Sequence, residues 1–240
     1  IMKKIYVILA IFLMTGCAEM QQVLTTVASD YVSGNTGGSS INIAGGLKEA
    51  LNNGIAKQVT LLTRTDGFYN NSLVRISIPD ELKVVEQALR NIGLGSLADK
   101  GIKALNIAAS DAVKEATPIF VSAVSSLTFS DAKAILMGSQ DAATQYLQRT
   151  TSQALYQKFF PVVKNSFSKV GADEIWREII NKYNAIPLVN PVNPDLNDYV
   201  TNKALEGVFK MIAIEEKNIR TDINARTSTL LKEVFALQDK

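Results

Sequence analysis

The sequence predicts an all-α fold, a multi-helix globular bundle of about eight to ten helices with at most a short extended segment near residues 73–78. Three observations carry this expectation. From Gly46 onward apolar residues recur every three or four positions, the period of a helix with one buried face. Prolines fall at segment starts or gather in one connection. A single stretch alternates apolar with polar residues, as a strand would.

The first core helix is expected over about 45–64, with Leu47, Leu51, Ile55, Val59 and Leu62 on its inner stripe. Thr65-Asp66-Gly67-Phe68-Tyr69-Asn70-Asn71 supplies turn chemistry, and residues 73–78 form the extended piece. Pro79 opens the next helix as its first residue. Asp80 and Glu81 favour its positive end, Leu82, Val85, Leu89 and Ile92 face inward, and Gly93 closes it. Ser96 with Asp99 forms a capping-box pattern before a helix carrying Leu105, Ala109, Ala112 and Ala116, whose small side chains permit close packing. Pro118 interrupts or restarts that helix. Further helices are expected at about 118–127, 130–137, 140–160, 161–170, 172–184, 195–220 and 222–237, with Pro161 kinking or dividing the longest run. Residues 186–194 hold Pro187, Pro191 and Pro194 and are read as a surface connection.

Composition narrows the chemistry. With 240 residues, 47% hydrophobic and 20% charged, the chain has apolar material for an ordinary core, which excludes wholesale disorder. It has no histidine and one cysteine, so a histidine-based triad, a histidine or multi-cysteine zinc site, and an internal disulfide are excluded. No metal and no cofactor is expected.

Lys3 and Lys4 precede a ten-residue apolar run, residues 5–14, that ends in Thr15-Gly16-Cys17. The run is far short of the roughly 20 residues a membrane-spanning helix needs, and it reads as a cleaved export signal with Met2 as the start. Leu13-Met14-Thr15-Gly16-Cys17 resembles the lipobox of bacterial lipoproteins, although Met14 stands where leucine is commoner. The resemblance implies a signal peptide over residues 1–16 and acylation of Cys17, palmitate included, giving a firm membrane anchor. Residues 17–44 then form a lipidated N-terminus and flexible tether, Ser33-Gly34-Asn35-Thr36-Gly37-Gly38-Ser39-Ser40 being unable to bury a face, and residues 45–240 form a single helical domain. Ala18, where aspartate is absent, resembles lipoproteins released to an outer membrane. The expected location is the Gram-negative envelope, lipid-anchored, at the periplasmic face of the outer membrane. Losing Lys3 and Lys4 leaves 23 basic against 23 acidic side chains, so nucleic acid is not an expected partner.

Several segments, in order, carry a family resemblance. These are Gly46-Leu47-Lys48-Glu49-Ala50-Leu51, Thr65-Asp66-Gly67-Phe68, Thr128-Phe129-Ser130-Asp131-Ala132-Lys133, Asp141-Ala142-Ala143-Thr144-Gln145-Tyr146, Arg149-Thr150-Thr151-Ser152, Asp198-Tyr199-Val200-Thr201, Lys203-Ala204-Leu205 and Arg226-Thr227. Over roughly residues 45–237 the chain resembles the domain-of-unknown-function 4197 family. The resemblance implies an all-helical bacterial envelope protein of unknown function and supplies no catalytic residue.

Motifs with known chemistry are weak. Ser130-Asp131-Ala132-Lys133 and Ser166-Phe167-Ser168-Lys169 spell Ser-x-x-Lys, but composition alone makes about one such pair expected and the partner motifs are missing. An N-cap serine at 130 and an exposed lysine explain the first. Residues 195–206 half imitate a calcium loop, yet Val200 occupies the glycine position, so Asp195 is read as a helix cap and Tyr199 as a packing residue. The densest polar stretch is residues 141–152, where Asp141, Gln145 and Arg149 share a helical stripe beside Thr144, Thr150, Thr151 and Ser152. The plain reading is a solvated face. The sharper one is a polar pocket at a helix break near Thr150-Thr151-Ser152, where Arg149 and Asp141 meet Tyr156, Tyr199 or Lys203. Asp131 and Asp141 are the carboxylates that acid–base chemistry would need. Phe159, Phe160, Phe167, Trp176 and Tyr183 are read as core or helix-contact residues. The sequence favours a non-enzymatic interaction or scaffold protein with an envelope protein as partner. The alternatives are a small-ligand binder or a carboxylate-based envelope enzyme at residues 141–152.

Overall fold

Nine α-helices are present among residues 42–169, 171–185, 191 and 195–239, the parts of the chain described by the computed structural model. The expected leader, Cys17 and the tether through residue 41 lie outside the described residues, as does most of the proline connection at 186–194. The helices are α1 Ile43–Leu62, α2 Lys83–Asn91, α3 Gly95–Val113, α4 Ala116–Ser125, α5 Phe129–Leu136, α6 Ala142–Lys169, α7 Ala172–Asn184, α8 Asn197–Thr221 and α9 Thr229–Phe235. No strand occurs among the described residues. The fold is all-α, as expected.

Periodicity explains what is inside. Leu47, Leu51, Ile55, Val59 and Leu62 of α1 are all buried, as are Leu105, Ala109, Ala112 and Ala116. Helices α6 and α8 pack along each other, α3 lies against both, and α1 packs on α8 with α4, α5 and α9 beside it. The alanines of α3 let α6 approach closely, and Leu147, Leu155, Phe159 and Val163 fill the contact without solvent exposure. Trp176 packs against Gly101 of α3 so tightly that a methyl at that glycine would lie 2.5 Å from the indole. No single helix among the described residues is long and apolar enough to cross a membrane.

Helix ends correct several expectations. Pro161 does not divide α6, which runs unbroken from Ala142 to Lys169. Pro161 and Gln157, whose carbonyl loses its partner, are both exposed, while Phe159, Val163 and Phe167 bury the helix on either side. Pro118 sits in the first turn of α4, where its missing N–H removes no bond, so the boundary falls at Lys114-Glu115 instead. Ser96 caps nothing: α3 starts at Gly95 without a side-chain cap, and Asp99 accepts from Arg90 at 2.7 Å. Ser130 is likewise inside its helix. Thr128 is the N-cap, and its exchange of hydrogen bonds with Asp131 is a full capping box. Ile92 is 69% exposed because α2 ends there, with Gly93 at φ +81° and Leu94 N–H returning to Leu89 O at 2.8 Å.

A buried ion pair joins three helices. Glu216 and Arg220 are one turn apart on α8, and both are buried. Glu216 accepts from Ala143 N–H at 2.9 Å and from Thr144 N–H and its hydroxyl, each at 2.8 Å, capping α6. Arg220 donates to Ile135 O at 2.9 Å and Leu136 O at 3.0 Å, closing α5. After α8, buried Arg226 donates to Ile219 O and Arg220 O and pairs with Asp239, and Gln238 donates to Leu136 O.

Of the extended segment expected near 73–78, residues 73 and 74 belong to a turn closed by Val74 and Arg75 N–H on Asn71 O, and residues 75–78 run without regular structure or a strand partner among the described residues. Val74, Ile76 and Ile78 are buried while Arg75 and Ser77 face outward. The Asn106 amide of α3 stands in for a neighbouring strand: it accepts from Ile76 N–H and donates to Ile76 O, both at 2.8 Å.

Candidate functional site

The polar residues singled out from sequence fall in three places. Asp131 is spent on the α5 capping box, and its bonds from the Thr128 hydroxyl and N–H hold its carboxyl below the usual range. Asp141 accepts from Ser139 at 2.7 Å and Gln145 at 3.0 Å, which lower its carboxyl in the same way. Thr144 is buried on Glu216. Arg149 is exposed, its guanidinium 5.8 Å from the Tyr146 ring centroid.

No helix break gathers these groups. Thr150, Thr151 and Ser152 each donate to the carbonyl four residues back, at 2.8, 2.6 and 2.6 Å, so their hydroxyls are satisfied inside a continuous helix. Tyr156 meets Asp198 instead, its hydroxyl donating at 2.6 Å, and that carboxylate pushes the phenol up. Asp195 accepts from Asn197 N–H at 2.9 Å in a turn just before α8, but the N-cap of that helix is Leu196, with no side-chain cap bond, so Asp195 is not the helix cap expected from sequence.

Tyr199 and Lys203 lie elsewhere, on the wall of a groove of about 620 Å³ between residues 73–80 and α8. One wall is the extended segment. The other is a stripe of α8 formed by Tyr199, Lys203, Glu206, Gly207 and Lys210, residues spaced so that they share a helical face. Two bonds tie the walls together: the Tyr199 hydroxyl donates to Ser77 O at 2.9 Å, and Lys210 Nζ donates to Leu73 O at 2.8 Å. Gly207 permits this approach, since a methyl there would come within 2.7 Å of the Phe68 ring.

The groove's charges are fixed by their neighbours. Lys83 sits 2.6 Å from Asp80, and Lys203 sits 2.6 Å from Glu206. The bond from Lys83 lowers the Asp80 carboxyl, and Asp80 in turn raises the Lys83 ammonium. Glu206 raises Lys203 in the same way, with smaller contributions from Tyr199 and Asp80. Arg75 lays its guanidinium over the Tyr69 ring, 4.3 Å from the centroid. Among the described residues no group of three or more histidine, cysteine or carboxylate side chains is placed to hold a metal ion.

Sequence reasoning reached Tyr199 and Lys203 but missed Arg75, Ser77, Lys83 and Lys210. A signal existed. Tyr199, Lys203 and Lys210 recur at four- and seven-residue spacing on a predicted helix, and Arg75 and Ser77 are the outward positions of the predicted extended segment.

This architecture defines a class: an all-α domain, with nine helices among the described residues and one irregular segment held against α3 and α8. The chain belongs to the family described as protein of unknown function (DUF4197), whose model matches residues 38–236. No curated protein and no solved structure matches it.

Proposed function

We propose that this chain is a lipid-anchored, non-enzymatic binding protein of the bacterial envelope, and that the groove between residues 73–80 and α8 takes its binding partner. One observation carries the binding assignment: a groove of about 620 Å³ is lined by Arg75, Lys83, Lys203 and Lys210, and two of those lysines are tied to carboxylates beside them. Asp80 is lowered by Lys83, while Lys83 and Lys203 are raised by the carboxylates beside them, so all three keep their charge through the neutral range. Proton transfer at a reacting atom requires a group that titrates near the working pH. Fixed charges in a half-open groove suit recognition instead.

Attachment rests on the leader. Lys3 and Lys4, the apolar run and Thr15-Gly16-Cys17 support export and acylation, and the glycine- and serine-rich tether would let the domain stand clear of lipid headgroups. The expected site is the periplasmic face of the outer membrane. The alternative pocket at residues 141–152 has less support, because its hydroxyls bond within their own helix.

Two measurements test the proposal. Cys17→Ser should abolish palmitate labelling, and unchanged labelling refutes attachment there. A photo-reactive amino acid replacing Ser77 should give a discrete adduct in cells, whereas one replacing exposed Met137 of the α5–α6 turn should not. An empty Ser77 position would rule out the groove as the binding surface.

A further inference from the structure

Resting on the groove as the binding surface, we infer that its ligand presents a phosphate group, held between Lys203 and Lys210 of α8 and the Ser77 peptide of the extended segment. Arg75, Lys83, Lys203 and Lys210 line the groove against two carboxylates, Asp80 and Glu206. This is a local excess of positive charge on a chain whose mature form carries equal numbers of acids and bases. A concave, low-dielectric lining concentrates such a field.

Position adds to charge. Lys203 and Lys210 stand two turns apart on one stripe of α8, about 10 Å along the wall. The glycine between them draws α8 onto Phe68 and Val74, which brings both lysines to the lip of the groove. Lys210 has no carboxylate in ion-pair range among the described residues. Its ammonium donates to Leu73 O and keeps donors for a guest. Ile76 turns its N–H and C=O toward Asn106, so those of Ser77 turn the opposite way. There the Ser77 carbonyl accepts from the Tyr199 hydroxyl on the groove wall, and an N–H on the same edge of the segment would face the same way. The carboxylates that hold Lys83 and Lys203 are 86% and 62% exposed, so they can swing into water when a stronger anion arrives.

Ammonium groups are compact point charges with rotatable donors, able to surround a tetrahedral oxyanion, and a guanidinium fork binds phosphate as readily as carboxylate. The Arg75 guanidinium lies over the Tyr69 ring, a contact through its face that leaves its edge N–H groups able to donate. A phosphate ester, with more acceptor oxygens than a carboxylate, is the group that three lysines and one arginine around a groove can surround, carried either by a soluble molecule or by a phospholipid headgroup.

Lysine footprinting of the full chain in phosphatidylcholine liposomes tests this. Acetylation read by mass spectrometry should find Lys203 and Lys210 protected severalfold by pyrophosphate, with exposed Lys133 and Lys217 unchanged. Lys203→Gln with Lys210→Gln should weaken pyrophosphate binding roughly tenfold or more, the expected loss of charge-assisted hydrogen bonds. Protection by pyrophosphate supports a soluble phosphate ester. Protection that appears only when the liposomes contain phosphatidylglycerol supports a headgroup. No protection by either probe, or equal protection by succinate, overturns the phosphate assignment. If the Ser77 adduct persists while both phosphate probes fail, the ligand class is wrong and the groove reading stands; if the adduct is absent as well, both fall.

Discussion

Removing Arg220 should damage this domain more than any surface change of equal size. Arg220 and Glu216 are each 8% exposed. Arg220→Ala strips α5 of the donor to Ile135 O and leaves Glu216 as a buried carboxylate with only the α6 donors opposite it. Leu136 O keeps its bond from Gln238. Breaking one side of a buried pair costs about 3–5 kcal/mol. At roughly 2–4 °C per kcal/mol for a domain of this size, the melting temperature should fall by about 6–20 °C. Arg220→Lys keeps the charge but cannot fork onto two carbonyls, so it should recover only part of the loss. Replacing both partners by leucine should cost less than the two single substitutions added together, because no charge is then stranded. Urea unfolding followed by far-ultraviolet circular dichroism measures each of these chains against the parent. If Arg220→Ala lies within about 0.5 kcal/mol of Lys217→Ala, an exposed position on the same helix, the clamp is not holding these helices together.

Three other perturbations follow from the same contacts. Asn106→Ala orphans the buried N–H and C=O of Ile76, at about 1–3 kcal/mol for each group, and should speed hydrogen exchange at the Ile76 amide; a protected amide would contradict the strand-like role of Asn106. Gly101→Ala drives a methyl into the indole of Trp176, the only tryptophan, costing about 1–3 kcal/mol and shifting its fluorescence, and unchanged emission with unchanged stability would deny that contact. Acid should weaken the fold through lowered carboxyls: Asp99 is held down by Arg90, Asp131 by Thr128 and Asp239 by Arg226, each from an ordinary value of 3.8. Their contribution is complete above that value and disappears as pH falls through the lower folded values, so the urea midpoint should decline below about pH 4. Asp131→Asn should flatten that decline, and an identical slope would exclude the capping carboxylate as a cause.

What sequence periodicity reveals is which face of a helix is dry: all five residues expected on the inner stripe of α1 are buried, as are Leu105, Ala109 and Ala112 of α3, while Ala116 is buried in α4. Helix ends were harder, because they are decided by competition among neighbours. Ser96 and Asp99 have the spacing of a cap, but Arg90 offers Asp99 a stronger, charged partner. Thr128 outbids Ser130 because only Thr128 has the extended backbone a cap requires. The polar stretch at 141–152 drew attention for its composition, yet composition does not tell whether a hydroxyl points to a ligand or to its own helix. Glu216 and Arg220 are legible in the sequence as opposite charges one turn apart, flanked by Ile212 and Ile219 on the buried face of α8. The groove itself arises from contacts far apart in the chain, such as Tyr199 to Ser77, that no local pattern encodes.

The placement of Arg220 also bears on how the chain becomes complete. A ribosome releases α5 long before its cap, since Leu136 and Arg220 are 84 positions apart. Until the last stretch emerges, the middle helices have open ends, and the final turns about Arg226 and Asp239 are not yet there to lock α8. Assembly is therefore finished from the tail. A chain stopped at residue 219 would keep most of the apolar stripes and the Glu216 cap of α6, yet lose the Arg220 donor to Ile135 O and Leu136 O at the end of α5, far upstream of the lesion.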